Sequence, residues 1–254
     1  MTDQFIYDGS FAGLLTAIFD VYEQKKNEVV ISKQKDGCAL LHHQYLVITS
    51  KSKAARVWNS LKKKIPLSAL KEMYYAFLSE EAGIETVVFY FVKYVLAYAD
   101  DAESYVDRNV LVIKQAAKKV SAEKQRFRAF VRLNKLSNGL FYAMIEPDYN
   151  ILPLIAPHFI KRYTGEDWLI YDVKRKYGIR YNKDSREVSE VTVYNEGWEN
   201  EKSVILFYDE EELHYQALWK NYYKNTVVTE TRTMKLHLQN VPKHYWKYLP
   251  EKKK

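Results

Sequence analysis

The sequence holds a single cysteine, Cys38. No disulfide can form within the chain, which points to a reducing compartment. The same scarcity rules out a Cys-ligated iron–sulfur cluster or a Cys-rich zinc site built by this chain alone. Long apolar runs are missing as well. The most apolar stretch, residues 86–99, is interrupted by Lys93 and falls short of a membrane span. Apolar nearly all round, it predicts a buried core helix. No signal peptide is expected, because Met1-Thr2-Asp3-Gln4 leads directly into a strand pattern. Walker A loops, dinucleotide fingerprints, nucleophile elbows and paired-His zinc motifs are all lacking. His42 and His43 are adjacent and would point apart on a strand. His237 and His244 have no third ligand near them in sequence. Neither a metal nor a cofactor is expected.

What the chain does have is tyrosine and positive charge. Aromatic residues make up 15% of its 254 positions, with 22 Tyr among them. Tyr fills half-buried strands, and it also lines surfaces on which bases stack. Lys and Arg number 39 against 32 acidic residues, a formal charge of +7, which favours polyanionic partners without specifying a fold. Part of that excess sits in the last four residues, Glu251 to Lys254, read as a solvated tail.

Periodicity predicts a short strand at Phe5–Tyr7 and then a helix from Phe11, with apolar residues at Leu14, Leu15, Ile18 and Val21. Asp8 or Ser10 would cap that helix. A polar stretch over 24–37 precedes a strand at Tyr45–Ile48. Helices follow over 54–65, ending at Pro66, and over 68–79 and 84–99. Residues 107–136 predict one long helix or two broken ones. Strands are expected at 140–145, 168–171, 178–181 and 188–194, with a proline-punctuated helix at 151–163. A further helix covers 210–223, and 236–249 is irregular or helical. Blocks of helices between strands favour an α+β fold over a doubly wound one. No linker or internal repeat divides the chain. It is read as one α+β domain over 1–250 with a basic tail at 251–254, its N-terminal half mostly helical and its mixed or antiparallel sheet built mainly from the central region.

Two segments carry the signal for polyanion binding. At about 100° per residue, Lys114, Lys118, Lys124, Arg128, Arg132 and Lys135 share roughly a third of a helix circumference, beside an apolar face of Ile113, Ala116, Val120, Phe127, Phe130 and Val131. Such a stripe neutralises phosphates and makes binding salt-dependent; a solvated amphipathic face has the same pattern. Arg126 falls off the stripe. The second segment places Lys161, Arg162, Lys174, Arg175 and Lys176 among Tyr163, Trp168, Tyr171, Tyr177 and Tyr181. Cations beside rings suit a single strand or an extruded base, and alternating strands with wet cationic sides fit equally. His158 and Arg162 share a helical face, and Asp172 would orient one of them or accept a proton. Asp8 and Ser10 have the types of a general base and a hydroxyl nucleophile, although capping accounts for both.

The opening YDGSFAGLLTAIFDVYE, the middle KQRFRAFVRL, the block FYAMIEPDYNILPLIAPHFIKRYTGEDWLIYDVKRKYGIRYN and the close VPKHYW together resemble an uncharacterised bacterial family described as DNA-metabolism or DNA-repair proteins, carrying a domain of unknown function. The resemblance covers nearly the whole chain. It implies a context: members are encoded beside a radical-SAM protein thought to modify or repair DNA, and related domains are fused to uracil-DNA glycosylase modules. It marks Asp8, Gly9, Ser10, Arg126, Arg132, Asp148, His158, Arg162, Trp168, Asp172, Arg175, Tyr245 and Trp246. The pattern departs where Thr231 and Thr233 stand in place of an Arg and an Asn. One cysteine cannot hold a radical-SAM cluster, so the expected role is an accessory one.

The expectation is a cytoplasmic, DNA-binding accessory protein that presents damaged or single-stranded DNA to a separate radical-SAM partner. Its nucleic-acid contacts would be Lys118, Arg126, Arg128, Arg132, Arg162, Trp168, Lys174, Arg175, Tyr245 and Trp246. The alternatives are a base-excising hydrolase drawing on Asp8, Ser10, His158 or Asp172, and an adaptor that binds only protein.

Overall fold

A computed structural model describes residues 2–33, 43–98, 107–192, 208–226 and 242–252. Cys38, His42, Thr231, Thr233 and His237 lie outside the described residues, as do 193–194 of the last expected strand. The class is α+β, as the alternation of helix blocks and strands implies. The chain packs as two compact units, Met1–Ser121 and Ala122–Lys254.

The first unit is built on a parallel three-stranded sheet in which β1 (Asp3–Tyr7) lies between β2 (Val29–Lys33) and β3 (His43–Leu46). The polar stretch 24–37 thus contains a strand that polarity alone conceals. Val29 and Ile31 supply its buried face, while hydroxyls from the neighbouring helix close its open edge: Thr86 Oγ1 accepts the Ile31 N–H at 3.0 Å. Helix α1 (Phe11–Glu23) connects β1 to β2, as parallel pairing requires. Next come α2 (Lys51–Lys64), stopped before Pro66, α3 (Leu67–Ser79) and α4 (Ile84–Ala97). Helix α4 buries Val88, Phe89, Phe91, Val92 and Val95 but leaves Lys93 outside, so it is not buried all round.

The resemblance-marked Asp8 and Ser10 close the turn from β1 into α1. Ser10 Oγ caps the helix by accepting the Gly13 N–H at 2.9 Å. Asp8 accepts the Ser10 hydroxyl at 2.7 Å, the Ser10 N–H at 2.9 Å and the Thr49 hydroxyl at 2.8 Å. Burial pushes the Asp8 carboxyl up, but these donors outweigh it and hold the group below the usual aspartate range. A Cβ on Gly13 would stand 2.2 Å from Asp8 Oδ1 and 2.8 Å from Thr49 Oγ1. Ala ordinarily improves a helix interior by up to about 1 kcal/mol over Gly. Here Gly13→Ala is expected to lose that gain and destabilise by about 1 kcal/mol, because the exposed carboxylate must leave donors that water only partly replaces. Denaturant unfolding checks the sign.

Helix α5 (Arg108–Phe130) is one continuous helix, capped by Asp107, whose carboxylate accepts the Asn109 N–H at 2.7 Å. It stops at Phe130, six residues before the expected limit at Leu136.

The second unit carries a mixed five-stranded sheet ordered β4 (Asn134–Lys135), β5 (Phe141–Ile145), β6 (Trp168–Asp172), β7 (Tyr177–Tyr181) and β8 (Val188–Val191). Only β5 and β6 run parallel, and α6 (Leu152–Arg162) makes the crossover between them. Strand β6 is central, and all five of its residues are buried. Helix α7 (Glu210–Thr226) follows. Glu212 on its first turn accepts the Lys135 N–H of β4 at 2.9 Å. Short 3-10 turns at Lys243–Tyr248 and Pro250–Lys252 end the described chain. No described helix is long and apolar enough to cross a membrane.

Candidate nucleic-acid interface

Arg128 on α5 meets His158 on α6 in the second unit, and Arg162 lies one turn further along α6. The one-turn spacing of His158 and Arg162 puts both on the same side of α6. Arg128 Nη2 lies 3.2 Å from His158 Nδ1. A guanidinium has only donors, so Nδ1 accepts and the imidazole carries its proton on Nε2. Partial burial, then the Arg128 charge, then the Arg162 charge hold the His158 pKa below the ordinary histidine range. Arg162 is exposed and reaches over the Tyr163 ring, 5.7 Å from its centroid. Among the described residues, neither Arg128 nor Arg162 has a carboxylate partner.

The other expected contacts divide between surface and interior. Lys118 is exposed on α5, in the first unit. Arg126 is half-buried near Tyr245 and borders a small apolar cleft with Phe127 and Met144. Lys174 is exposed and donates to the Asp148 carbonyl at 3.1 Å. Trp246 is half-buried beneath Lys252, whose ammonium sits 5.2 Å from the ring centroid.

Arg132 does not extend a helical stripe, because α5 has already ended. Its guanidinium turns back to the Ala129 carbonyl at 2.7 Å, lies over Trp219 and pairs with Glu251 at 3.5 Å. Lys135, expected on the same stripe, stands in β4 and pairs with Asp209 at 3.2 Å.

Four sequence expectations are corrected by burial. Trp168 is fully buried against Phe159 and Tyr181, so it offers no face to an incoming base. Tyr245 is buried and donates its hydroxyl to Glu123 at 2.5 Å. Asp172 is fully buried with both oxygens engaged. Oδ1 accepts the N–H groups of Lys174 and Arg175, and Oδ2 accepts from Arg175 at 3.0 Å. Arg175 also donates to the carbonyls of Pro147 and Asp148, at 3.1 and 2.9 Å. Asp172 therefore shapes the β6–β7 turn, and its partners are Arg175 and the backbone rather than His158. Burial pushes its carboxyl up, opposed by the Arg175 charge.

Glu123 is a residue that composition and charge counting miss. Buried on α5, it accepts the N–H groups of Asp148 and Tyr149 at 2.8 and 2.9 Å, as well as the Tyr245 hydroxyl. A buried carboxylate with three donors is satisfied without a cation. Spacing gives it away: Ile113, Ala116, Val120, Glu123 and Phe127 form one buried helical stripe with a single acid in it. Tyr177 donates to Asn150 at 2.5 Å. The segment before α6 is thus held by Glu123, Arg175 and Tyr177, and that anchoring places His158 and Arg162.

No curated protein matches the chain. A family model described as a domain of unknown function, DUF4130, matches residues 82–251, which include every described strand of the second sheet together with Arg128, His158 and Arg162. Asp8, Ser10 and α1–α3 precede the match. With two thirds of its length covered in this way, the chain belongs to the DUF4130 family.

Proposed function

We propose that the protein binds DNA, single-stranded or damaged, as the accessory component of a repair or modification reaction whose chemistry is done by a separate radical-SAM enzyme. The observation that carries the binding reading is that Arg128 contacts His158, that the charges of Arg128 and Arg162 both depress the His158 pKa, and that neither guanidinium has a carboxylate partner among the described residues. A guanidinium without a carboxylate partner is available to a phosphate, whose oxygens accept directional, charge-assisted bonds from it. Resemblance at the sequence level supplies the repair context and the radical-SAM partner.

Anisotropy titrations of single-stranded, duplex and lesion-bearing oligonucleotides over a salt series test the binding. Affinity falling steeply with salt is expected. Absence of binding at low salt to every oligonucleotide defeats the reading. Co-purification with the radical-SAM protein, with and without nuclease, tests the partnership.

A pH profile tests the cluster itself. An incoming phosphate that draws the Arg128 guanidinium off Nδ1 and offsets both positive charges would raise the depressed His158 pKa, so the complex would take up a proton at Nδ1. Binding is then expected to tighten as pH falls from neutral through the ordinary histidine range. The free fold responds in the opposite sense, because the unfolded chain takes that proton first and stability declines over the same range. His158→Gln is expected to flatten the binding profile, and a wild-type profile that is already flat removes His158 from the interface.

One observation favours a protein-binding role instead. Helix α7 exposes Leu213, Tyr215, Leu218 and Tyr222, from 49% to 61% of each residue. Association with the partner protein lost in Tyr215→Glu or Leu218→Glu, in the absence of any DNA affinity, would establish it.

A further inference from the structure

The first unit holds an open apolar groove of about 750 Å³ between α1, α2 and α3. Small residues, Ala12, Ala54 and Ala55, form part of its wall where α1 and α2 face each other. Leu15, Leu67 and Leu70 and three aromatic side chains make up the rest of the apolar lining. Phe11 meets Trp58 edge-on at 5.7 Å and Tyr74 edge-on at 4.9 Å, so the three half-buried rings present faces and edges at steep angles to one another. Both charged lining residues are cations: Lys62 lies 5.4 Å from the Trp58 centroid, and Lys71 comes from α3. The charge extends beyond them. Six of the fourteen residues of α2 are Lys or Arg and none is acidic, and Lys62, Lys63 and Lys64 are all exposed on its last turn.

We propose that this groove takes unpaired nucleobases of a single-stranded nucleic acid, stacked on Trp58 and its neighbours, with the flanking phosphates on Lys62 and Lys71. Flat rings beside cations are the combination that holds a single strand: the rings contact base faces irrespective of sequence, and the ammonium groups follow the backbone. The volume suits small-ligand or base occupancy. Charge complementarity selects the occupant, because the rim cations favour an anionic chain over a neutral apolar segment. The inference rests on the nucleic-acid reading above but involves none of the residues that carry it, and the two can fail separately.

The probe is a short oligothymidylate containing 5-iodouracil, irradiated on the full-length protein and mapped by peptide mass spectrometry. Adducts are expected on Trp58, Tyr74 or Phe11. Lys62→Glu with Lys71→Glu, both exposed and so tolerated by the fold, is expected to weaken oligothymidylate binding about tenfold or more at low salt. Its effect on blunt duplex should be much smaller. Trp58→Ala should reproduce the loss, with the circular dichroism spectrum confirming that the unit remains folded. Adducts confined to 122–254, with binding lost only in Arg128→Glu and Arg162→Glu, overturn the groove and leave DNA binding standing. Groove adducts with no effect of those two reversals support the groove and overturn the Arg128–Arg162 interface. Absence of all oligonucleotide binding overturns both. Sedimentation of the wild type as a dimer that Leu67→Glu makes monomeric shows a second copy in the groove, which also overturns the proposal.

Discussion

Reversing Arg128 and Arg162 together to Glu is expected to weaken DNA binding by at least tenfold at low salt, and to lower the slope of log affinity against log salt by about two. The slope is the sharper readout. Each phosphate contact releases condensed counterion, so losing two contacts changes the salt dependence by an amount that a general loss of folded protein does not imitate. Arg128 is half-buried beside His158, so Arg128→Gln is the gentler companion variant and should lower the slope by about one. Arg132 is the internal control. Its guanidinium serves the end of α5, Trp219 and Glu251, and Arg132→Gln should affect stability more than the salt slope. An unchanged slope in the double reversal would place the DNA elsewhere on the protein.

Arg175→Ala is expected to cost the second unit about 3–5 kcal/mol, because it leaves the Asp172 carboxylate buried without its cation. The Pro147 carbonyl loses its Arg175 donor in the same step, and the Asp148 carbonyl keeps only Lys174. The sign of the pH effect follows from Asp172. Burial already raises its pKa, and removing Arg175 raises it further. A carboxyl whose folded value lies above its unfolded value opposes folding once pH exceeds both, and the opposition fades as pH falls between them. Mild acid should therefore partly restore Arg175→Ala, whereas wild-type stability does not gain to the same extent. Chemical unfolding at neutral and mildly acidic pH measures this. A loss below about 1 kcal/mol would mean that water reaches Asp172 readily and that the pair is peripheral.

The sequence made the helices legible because their apolar periodicity is strong and their ends are marked: Pro66 after α2, Ser10 before α1 and Asp107 before α5. Strand β2 escaped because only Val29 and Ile31 face the core, between Glu28 on one side and Lys33 on the other. Trp168 was misplaced for a tertiary reason. Aromatic residues beside lysines read as a wet strand, but β6 is paired on both edges, with α6 in the crossover beside it, so WLIYD is buried on both faces. A run without a polar alternation was the available clue. The cationic stripe failed in part because periodicity does not reveal where a helix stops. Arg128 belongs to α5, but Arg132 and Lys135 lie beyond its end. His158 and Arg162 were legible as neighbours on one helix. The contact of His158 with Arg128 depends on how α5 and α6 pack, which no local pattern encodes. The groove beside Trp58 went unread for the same reason, since three helices contribute to it.

For a protein that binds DNA as proposed, the anchoring of residues 147–150 by Glu123, Arg175 and Tyr177 would bear on the kinetics of that binding. Because α6 starts from a segment tied down in the unbound protein, its exposed Arg162 guanidinium would need little rearrangement when a ligand arrives. Association then forgoes the entropy loss of ordering a loop and proceeds at a rate governed by diffusion and electrostatic attraction. Discrimination among DNA substrates would consequently appear mainly in how long each complex lasts.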